Sequence, residues 1–176
     1  MKQQQIRYAS VEDALQIATI NIQAWQSAYQ EIIDQEVLSK LSIKKSTQSI
    51  KKSTQSIEKR LREQPHEIII IENNTEIEGF IGFGNPRDED VNAEQVAKIY
   101  TVYFNEKYYG NGNAQKLMWH VLALLQQQKI QEVVLWVFEE NERALRFYKK
   151  IGFNQITKRK FYKGKIPEIR LSYYFG

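Results

Sequence analysis

The run Val96-Ala97-Lys98-Ile99-Tyr100-Thr101-Val102-Tyr103-Phe104 is followed closely by Gly110 and Gly112, and then by Leu117, Met118, Val121, Leu122 and Leu125 at helical spacing. This strand, glycine turn and amphipathic helix constrain the chain more than any other segment. β-branched and aromatic residues suit extended backbone, and apolar residues recurring every three to four positions give a helix one buried face. A strand feeding a helix through a short loop excludes an all-α or all-β architecture.

The flanking pattern completes the order. Ile6 and Tyr8 alternate with polar neighbours as a first strand. Ser10 and Asp13 form a capping-box signature for a helix reaching about Tyr29, with Ala14, Ile17, Ala18, Ile20, Ile22, Ala24 and Trp25 on its apolar positions. Asp34 offers the N-cap of a second helix carrying Val37, Leu38 and Leu41. Next comes a tandem repeat: Ser42-Ile43-Lys44-Lys45-Ser46-Thr47-Gln48 recurs as Ser49-Ile50-Lys51-Lys52-Ser53-Thr54-Gln55. Seven residues make two helical turns, so the duplication keeps Ile43, Ile50 and Ile57 near one helix face and lengthens the helix without changing its buried side. It is far shorter than the about 20–50 residues of a solenoid repeat.

Glu67 to Glu72 and Ile77 to Phe83 predict a hairpin turned at Asn73-Asn74, with Gly79 and Gly82 marking bends or bulges. After the central strand, turn and helix, Val133 to Phe138 predicts a buried strand, and Asn141 caps a short helix that ends at Ile151-Gly152. Phe153 to Phe161 and Ile166 to Tyr174 close the chain as two strands. The predicted order is β-α-α-β-β-β-α-β-α-β-β, an α/β (α+β) fold in a single domain over residues 1–176.

Several function classes drop out on composition. The absence of cysteine removes disulfides, thiol nucleophiles and thiolate metal sites, and His66 and His120 are too isolated to suggest a zinc cluster, so no metal is expected. No apolar stretch is long enough to span a bilayer. The opening Met1-Lys2-Gln3-Gln4-Gln5 lacks an apolar signal core, which points to a cytoplasmic location. The net charge of +4 permits anionic partners, but the basic residues between Lys44 and Arg62 read as a solvated helix face. A nucleic-acid-binding protein would rest on that charge alone, because no recognition motif accompanies it, and no specific nucleic-acid partner is expected.

The turn Tyr109-Gly110-Asn111-Gly112-Asn113-Ala114 can hold a phosphate, because small residues let backbone N–H groups approach an anion at the positive end of a helix. Two glycines in such a loop also serve as plain turn residues, and the loop lacks both the Lys-Ser/Thr ending of a P-loop and the three-glycine dinucleotide spacing. A second segment is more specific. Leu135-Trp136-Val137-Phe138-Glu139-Glu140-Asn141, then Ala144, Phe147-Tyr148 and Ile151-Gly152-Phe153, resembles the second cofactor-binding motif of the GNAT superfamily of N-acetyltransferases. Ile99 to Phe104 together with Tyr109 to Ala114 is similar to that superfamily's first motif, in the matching order and spacing.

The resemblance implies a GNAT-like fold, with a mixed, mostly antiparallel twisted sheet of about seven strands and about four helices. It further implies acetyl-CoA as donor co-substrate and direct acetyl transfer to a primary amine of a small molecule or peptide. In that superfamily the fourth and fifth strands splay apart and the donor's pantetheine lies between them. By position, the backbone of Val102, Tyr103 and Phe104 would pair with it, amides of Gly110, Asn111, Gly112, Asn113, Ala114 and Gln115 would hold the pyrophosphate, and Asn141 would meet the cofactor arm. Tyr148 would contact the donor as general acid, since a phenol with a pKa near about 10 stays protonated at neutral pH. Tyr148 also fits a core aromatic, and Asn141 a plain N-cap.

The sequence departs from the pattern at Lys98, where a glutamate base is often found, at Tyr109, where arginine or glutamine is usual, and at Asn105, where proline is frequent. This leaves the general base unassigned: Asp88, Glu139, Glu140 and Glu31 are candidates through water, and each equally suits an ordinary surface carboxylate. Trp25, Tyr29, Trp136 and Tyr162 are candidate lining residues for the acceptor, as aromatic faces attract cations, although each also suits a core position. The Asp88-Glu89-Asp90 run reads either as an attractor of polycations or as a solvated loop. A catalytically silent acyl-CoA-binding sensor is the alternative to an enzyme, and the strand edges of an open sheet are compatible with a homodimer.

Overall fold

A computed structural model describes residues 4–30, 32, 47–74 and 76–176, except for the side chains of residues 28, 29 and 47. The helix expected from Asp34, the first copy of the repeat up to Ser46, and Glu31 lie outside these residues. Seven strands and four α-helices are described: β1 Gln4–Tyr8, α1 Ala14–Tyr29, α2 Thr47–Glu63, β2 Ile68–Asn73, β3 Glu76–Gly84, β4 Val96–Phe104, α3 Asn113–Gln127, β5 Glu132–Phe138, α4 Glu142–Ile151, β6 Gln155–Tyr162 and β7 Ile166–Tyr174. The strand order is β1-β2-β3-β4-β5-β7-β6. The β4/β5 pair is parallel, while β1/β2, β2/β3, β5/β7 and β6/β7 are antiparallel.

The chain forms two compact units, Met1–Gly82 with Val102–Leu117 and Phe83–Thr101 with Met118–Gly176. In the first, Ala14, Ile17 and Ile20 of α1 and Leu61 of α2 join Ile68, Ile70, Ile77 and Phe80 in one apolar cluster, with Ile57 and Tyr103 against it. The heptad spacing of Ile50 and Ile57 keeps both half-buried, while Lys51, Lys52 and Lys59 are exposed, as the solvated-face reading predicts for this stretch. Ser10 and Asp13 make the capping box, the Asp13 carboxylate accepting from the Ser10 backbone N–H at 2.7 Å. Arg7 donates to both Asp13 and Glu72, tying β1, the helix entry and β2 together.

Irregularity in the hairpin has one source. Ile71 pairs with Gly79 but Glu72 pairs with Ile77, so Glu78 is the extra residue of a β-bulge. Gly79 is required beside it because a Cβ there would overlap the Phe104 ring. The bend expected at Gly79 is therefore a bulge at its neighbour, with the glycine making room for an aromatic ring.

In the second unit β4 pairs with β5 from Val96↔Glu132 to Ile99↔Leu135. The register of β5 with β7 runs its full length, from Glu132↔Tyr174 to Phe138↔Glu168, and β7 turns back on β6. Met118, Val121, Leu122 and Leu125 bury one face of α3, as their spacing predicts. Gly152 ends α4 at φ +124°, and Phe153 packs against Tyr148 and Tyr173.

Candidate active site

The site residues of the first unit lie on β4 and the loop that follows it. Ile99 is buried, whereas Tyr100, Thr101, Val102 and Tyr103 are each half-buried. Tyr103 packs its ring against Phe80 at 6.0 Å between centroids. Asn105 takes up the proline position as a cap, its side-chain oxygen accepting from Lys107 N–H at 3.2 Å.

The glycine loop has a fixed shape. Gly110 and Gly112 hold φ values of +76° and +85°, a region costly for residues with a Cβ, and open space surrounds both α-carbons. Between them Asn111 turns its side-chain oxygen to the Asn113 N–H at 2.9 Å, so that amide is already engaged. The Asn111 and Asn113 side chains both donate to Oε2 of Glu78, at 3.4 and 2.5 Å. Tyr108 donates to Glu76 at 2.8 Å, and Lys107 pairs with the same carboxylate. Two glutamates of β3 thus clamp the loop from below. Glu78 is only 2% exposed. Sequence reading missed it because its burial depends on the bulge.

Ala114 and Gln115 open the 15-residue helix α3, whose first-turn N–H groups carry the positive end of the helix dipole. Left-handed glycines, small side chains and a helix N-terminus fit a pyrophosphate. The residues present therefore suit the donor expected from the resemblance.

The site residues of the second unit lie on β5, α4 and β6. Asn141 caps α4, its side-chain oxygen accepting from Ala144 N–H at 3.1 Å. Tyr148 is half-buried and edge-on to Phe147 and Phe153, with centroid separations of 5.4 and 5.9 Å. Trp136 and Tyr162 belong to one cluster. The Trp136 indole donates to Asp88 Oδ1 at 2.8 Å, and Lys160 Nζ lies 3.9 Å above its ring. Tyr162 packs edge-on against Phe138 at 5.4 Å. Trp25 is half-buried on α1 in the first unit, and the Tyr29 side chain lies outside the described residues.

Lys98 donates to Asp88 Oδ2 at 2.7 Å, with its side chain 14% exposed. Burial pushes the Asp88 pKa up, but hydrogen bonds from Lys98 and Trp136 and the charges of Lys98 and Arg170 outweigh it, and the net shift is downward. A carboxylate so stabilised is a weak base. Asp90 is held low by Arg170, which it meets bidentately at 2.9 Å, and by Lys158. Within this loop Asp88 and Asp90 are matched by cations of the fold, while Asp90 and Glu89 remain exposed. Glu139 lies 3.4 Å from Arg159 at the surface.

Glu168 was not singled out from the sequence. It stands on β7 opposite Phe138 and Lys160, its side chain 12% exposed, and its buried Oε2 accepts no hydrogen bond. Burial pushes its pKa up, partly offset by the charges of Lys160 and Lys98. Burial and then the Glu168 charge raise that of Tyr162. Alternation along Ile166-Pro167-Glu168-Ile169-Arg170 was the available signal, because it sets two charged residues on one face of a strand flanked by buried residues.

Comparison with known proteins agrees with this architecture. The sequence profile of the acetyltransferase (GNAT) family matches residues 25–153. The chain therefore belongs to the acetyltransferase (GNAT) family, and its class is that of an acyltransferase. It is 23% identical over 166 residues to the uncharacterized N-acetyltransferase YuaI of Bacillus subtilis (strain 168), covering 94% of this chain and 87% of that protein. The PaiA N-acetyltransferase of Thermoplasma acidophilum, solved in complex with coenzyme A, superposes with a TM-score of 0.69 at 20% identity, over 97% of this chain and 99% of that one. YncA of Salmonella typhimurium, solved with acetyl-CoA, gives 0.70 at 16% identity, over 97% and 93%. The likeness to these structures establishes the GNAT-like fold. Among the described residues no helix is long and apolar enough to cross a membrane.

Proposed function

We propose that this protein, acting as one domain in the cytoplasm, transfers the acetyl group of acetyl-CoA directly to a primary amine in a ternary complex. The observation that carries this reading is the rigid loop at the start of α3, where Gly110 and Gly112 hold left-handed backbone above a buried glutamate clamp. Such a clamp fixes N–H groups in advance of an anion, so little ordering remains when the ligand arrives. The coenzyme A and acetyl-CoA found with PaiA and YncA support the same donor.

On this reading the amides of the Gly110 to Gln115 segment receive the pyrophosphate, with the Asn113 amide shaping the loop rather than adding a donor. The backbone of Val102, Tyr103 and Phe104 pairs with the pantetheine arm, and an N–H near Tyr103 stabilises the oxygen of the carbonyl under attack. The Asn141 cap uses its side-chain oxygen, which leaves its NH₂ to donate to the arm. The amine nitrogen bonds to the acetyl carbon as the carbon–sulfur bond breaks. Tyr148 gives its phenolic proton to the departing thiolate, and the proton shed by the new amide nitrogen restores the phenol through solvent.

Incubating the protein with acetyl-CoA and a panel of primary amines, and measuring thiol release for the native chain and Tyr148→Phe, tests this. Release that needs an amine and collapses in the variant is the expected result. Stabilisation by acetyl-CoA without release would identify the silent binding module instead. Neither stabilisation nor release would overturn the reading.

A further inference from the structure

The second unit carries a polar face on its sheet, formed by Lys98 of β4, Trp136 of β5, Glu168 and Arg170 of β7 and Lys158 and Lys160 of β6. Nearly every charge there is matched. Lys98 and the Trp136 indole meet Asp88, while Arg170 and Lys158 meet Asp90. Glu168 is matched more loosely, by an ion pair with Lys160. Its buried Oε2 accepts no hydrogen bond, and its nearest cation, Lys160 Nζ, stands off at 3.6 Å. A buried acceptor left in this state costs stability, and native folds keep such groups where a ligand needs them.

The surroundings of Lys160 show which ligand. Its ammonium sits 3.9 Å over the Trp136 ring and 3.6 Å from the Glu168 carboxylate, with its side chain about half exposed at 48%. An aromatic face combined with a carboxylate is a recognition arrangement for an ammonium ion. The Asp88 hydrogen bond fixes the indole plane, so the position persists when the lysine swings away. The pairing of Phe138 with Glu168 sets it at the carboxyl end of β5, beyond the last β4/β5 pair and three residues before the Asn141 cap. Ligands of open α/β sheets bind beyond the carboxyl ends of strands.

We infer that Trp136 and Glu168 form the ammonium-recognition position for the acceptor, and that Lys160 occupies it as an internal stand-in until a substrate primary ammonium displaces it. This deepens the acetyltransferase reading and rests on it. The substrate class is an unhindered alkylammonium, such as a lysine side chain or a small aliphatic amine. A neutral aromatic amine lacks the charge that both partners recognise.

The test uses the full chain labelled with 5-fluorotryptophan, which gives three ¹⁹F resonances, with that of Trp136 assigned through Trp136→Phe. n-Butylammonium chloride is titrated with and without coenzyme A. Removing the competing cation in Lys160→Met, with Lys160→Gln as a second variant should the first fold poorly, is expected to shift the Trp136 resonance saturably at about fivefold lower amine than in the native chain. Adding Glu168→Gln to either should weaken that response by about tenfold, leaving the Trp25 and Trp119 resonances unmoved. An unmoved Trp136 resonance in the lysine variants, or equal titrations with Glu and Gln at position 168, would overturn the inference. Thiol release from acetyl-CoA is scored separately. Transfer without the shift removes this site and keeps the enzyme, and the shift without transfer does the reverse.

Discussion

Glu78, buried, and Glu168, partly buried with one buried oxygen, are strand carboxylates, one in each unit, and they are treated in opposite ways. Glu78 accepts from two asparagines of the glycine loop. Glu168 keeps a buried oxygen that accepts nothing. The first is a fastener, whose energy goes into holding other groups still. The second is held ready at a cost in stability, because its Oε2 has an ion pair with Lys160 but no hydrogen bond. Burial of a charged residue therefore does not by itself separate structure from function. Satisfaction of its hydrogen-bonding capacity does.

The largest expected effect lies outside both carboxylates and shows whether the second unit carries chemistry at all. Tyr148→Phe should lower kcat by about 100-fold with little change in the KM for acetyl-CoA, as steady-state thiol release would measure. On the fastener's side, Gly112→Val forces a β-branched residue to φ +85° at a strain of about 1–2 kcal/mol. It should raise the KM for acetyl-CoA about tenfold and leave kcat at saturation nearly unchanged.

The two carboxylates can then be set against each other directly by thermal unfolding. Glu78→Ala strands two asparagine amides, a loss of about 1–3 kcal/mol, which for a chain of this size is a fall in Tm of about 3–10 °C. Glu168→Gln should hold or slightly raise Tm at pH 8. The raised pKa of Glu168 means that folding binds its proton more tightly, so its ionisation weakens the fold as pH rises, and the amide removes that penalty. A fall in Tm for Glu168→Gln as large as that for Glu78→Ala would erase the distinction.

The smallest effect is one of pH. The folded pKa of Asp88 lies below its unfolded value, so its contribution is present above about pH 4 and disappears as pH falls through the folded value. Asp88→Asn should therefore unfold below the native Tm at pH 7, and the gap should narrow as pH falls below about 4.

What the sequence discloses follows the range of the interactions involved. The order of the seven strands, the Ser10–Asp13 box, the Asn141 cap and the Gly152 stop depend on neighbours within a few residues, and all are present as expected, whereas the helix expected from Asp34 lies outside the described residues. The glycine loop was legible for the same reason. Its clamp was not, because Glu78 meets Asn111 and Asn113 across more than 30 positions and only through a bulge. Asp88 and Asp90 look like loop acids until β7 and β6 bring Arg170 and Lys158 to them. Glu168 sits in a strand whose apolar neighbours announce burial, but the missing hydrogen bond can be recognised only once its surroundings are known.

The bulge in β3 has a meaning for anyone who would regularise this fold. Glu78 is a parity change: on one side of it the residues of β3 obey one alternation of faces, and on the other side the opposite. Deleting that single residue would give an uninterrupted ladder of the kind an idealised backbone prefers, while taking the acceptor away from beneath the glycine loop. The tidier hairpin would belong to a protein with a less firmly held glycine loop. In this strand a defect in periodicity is what connects the sheet to that loop.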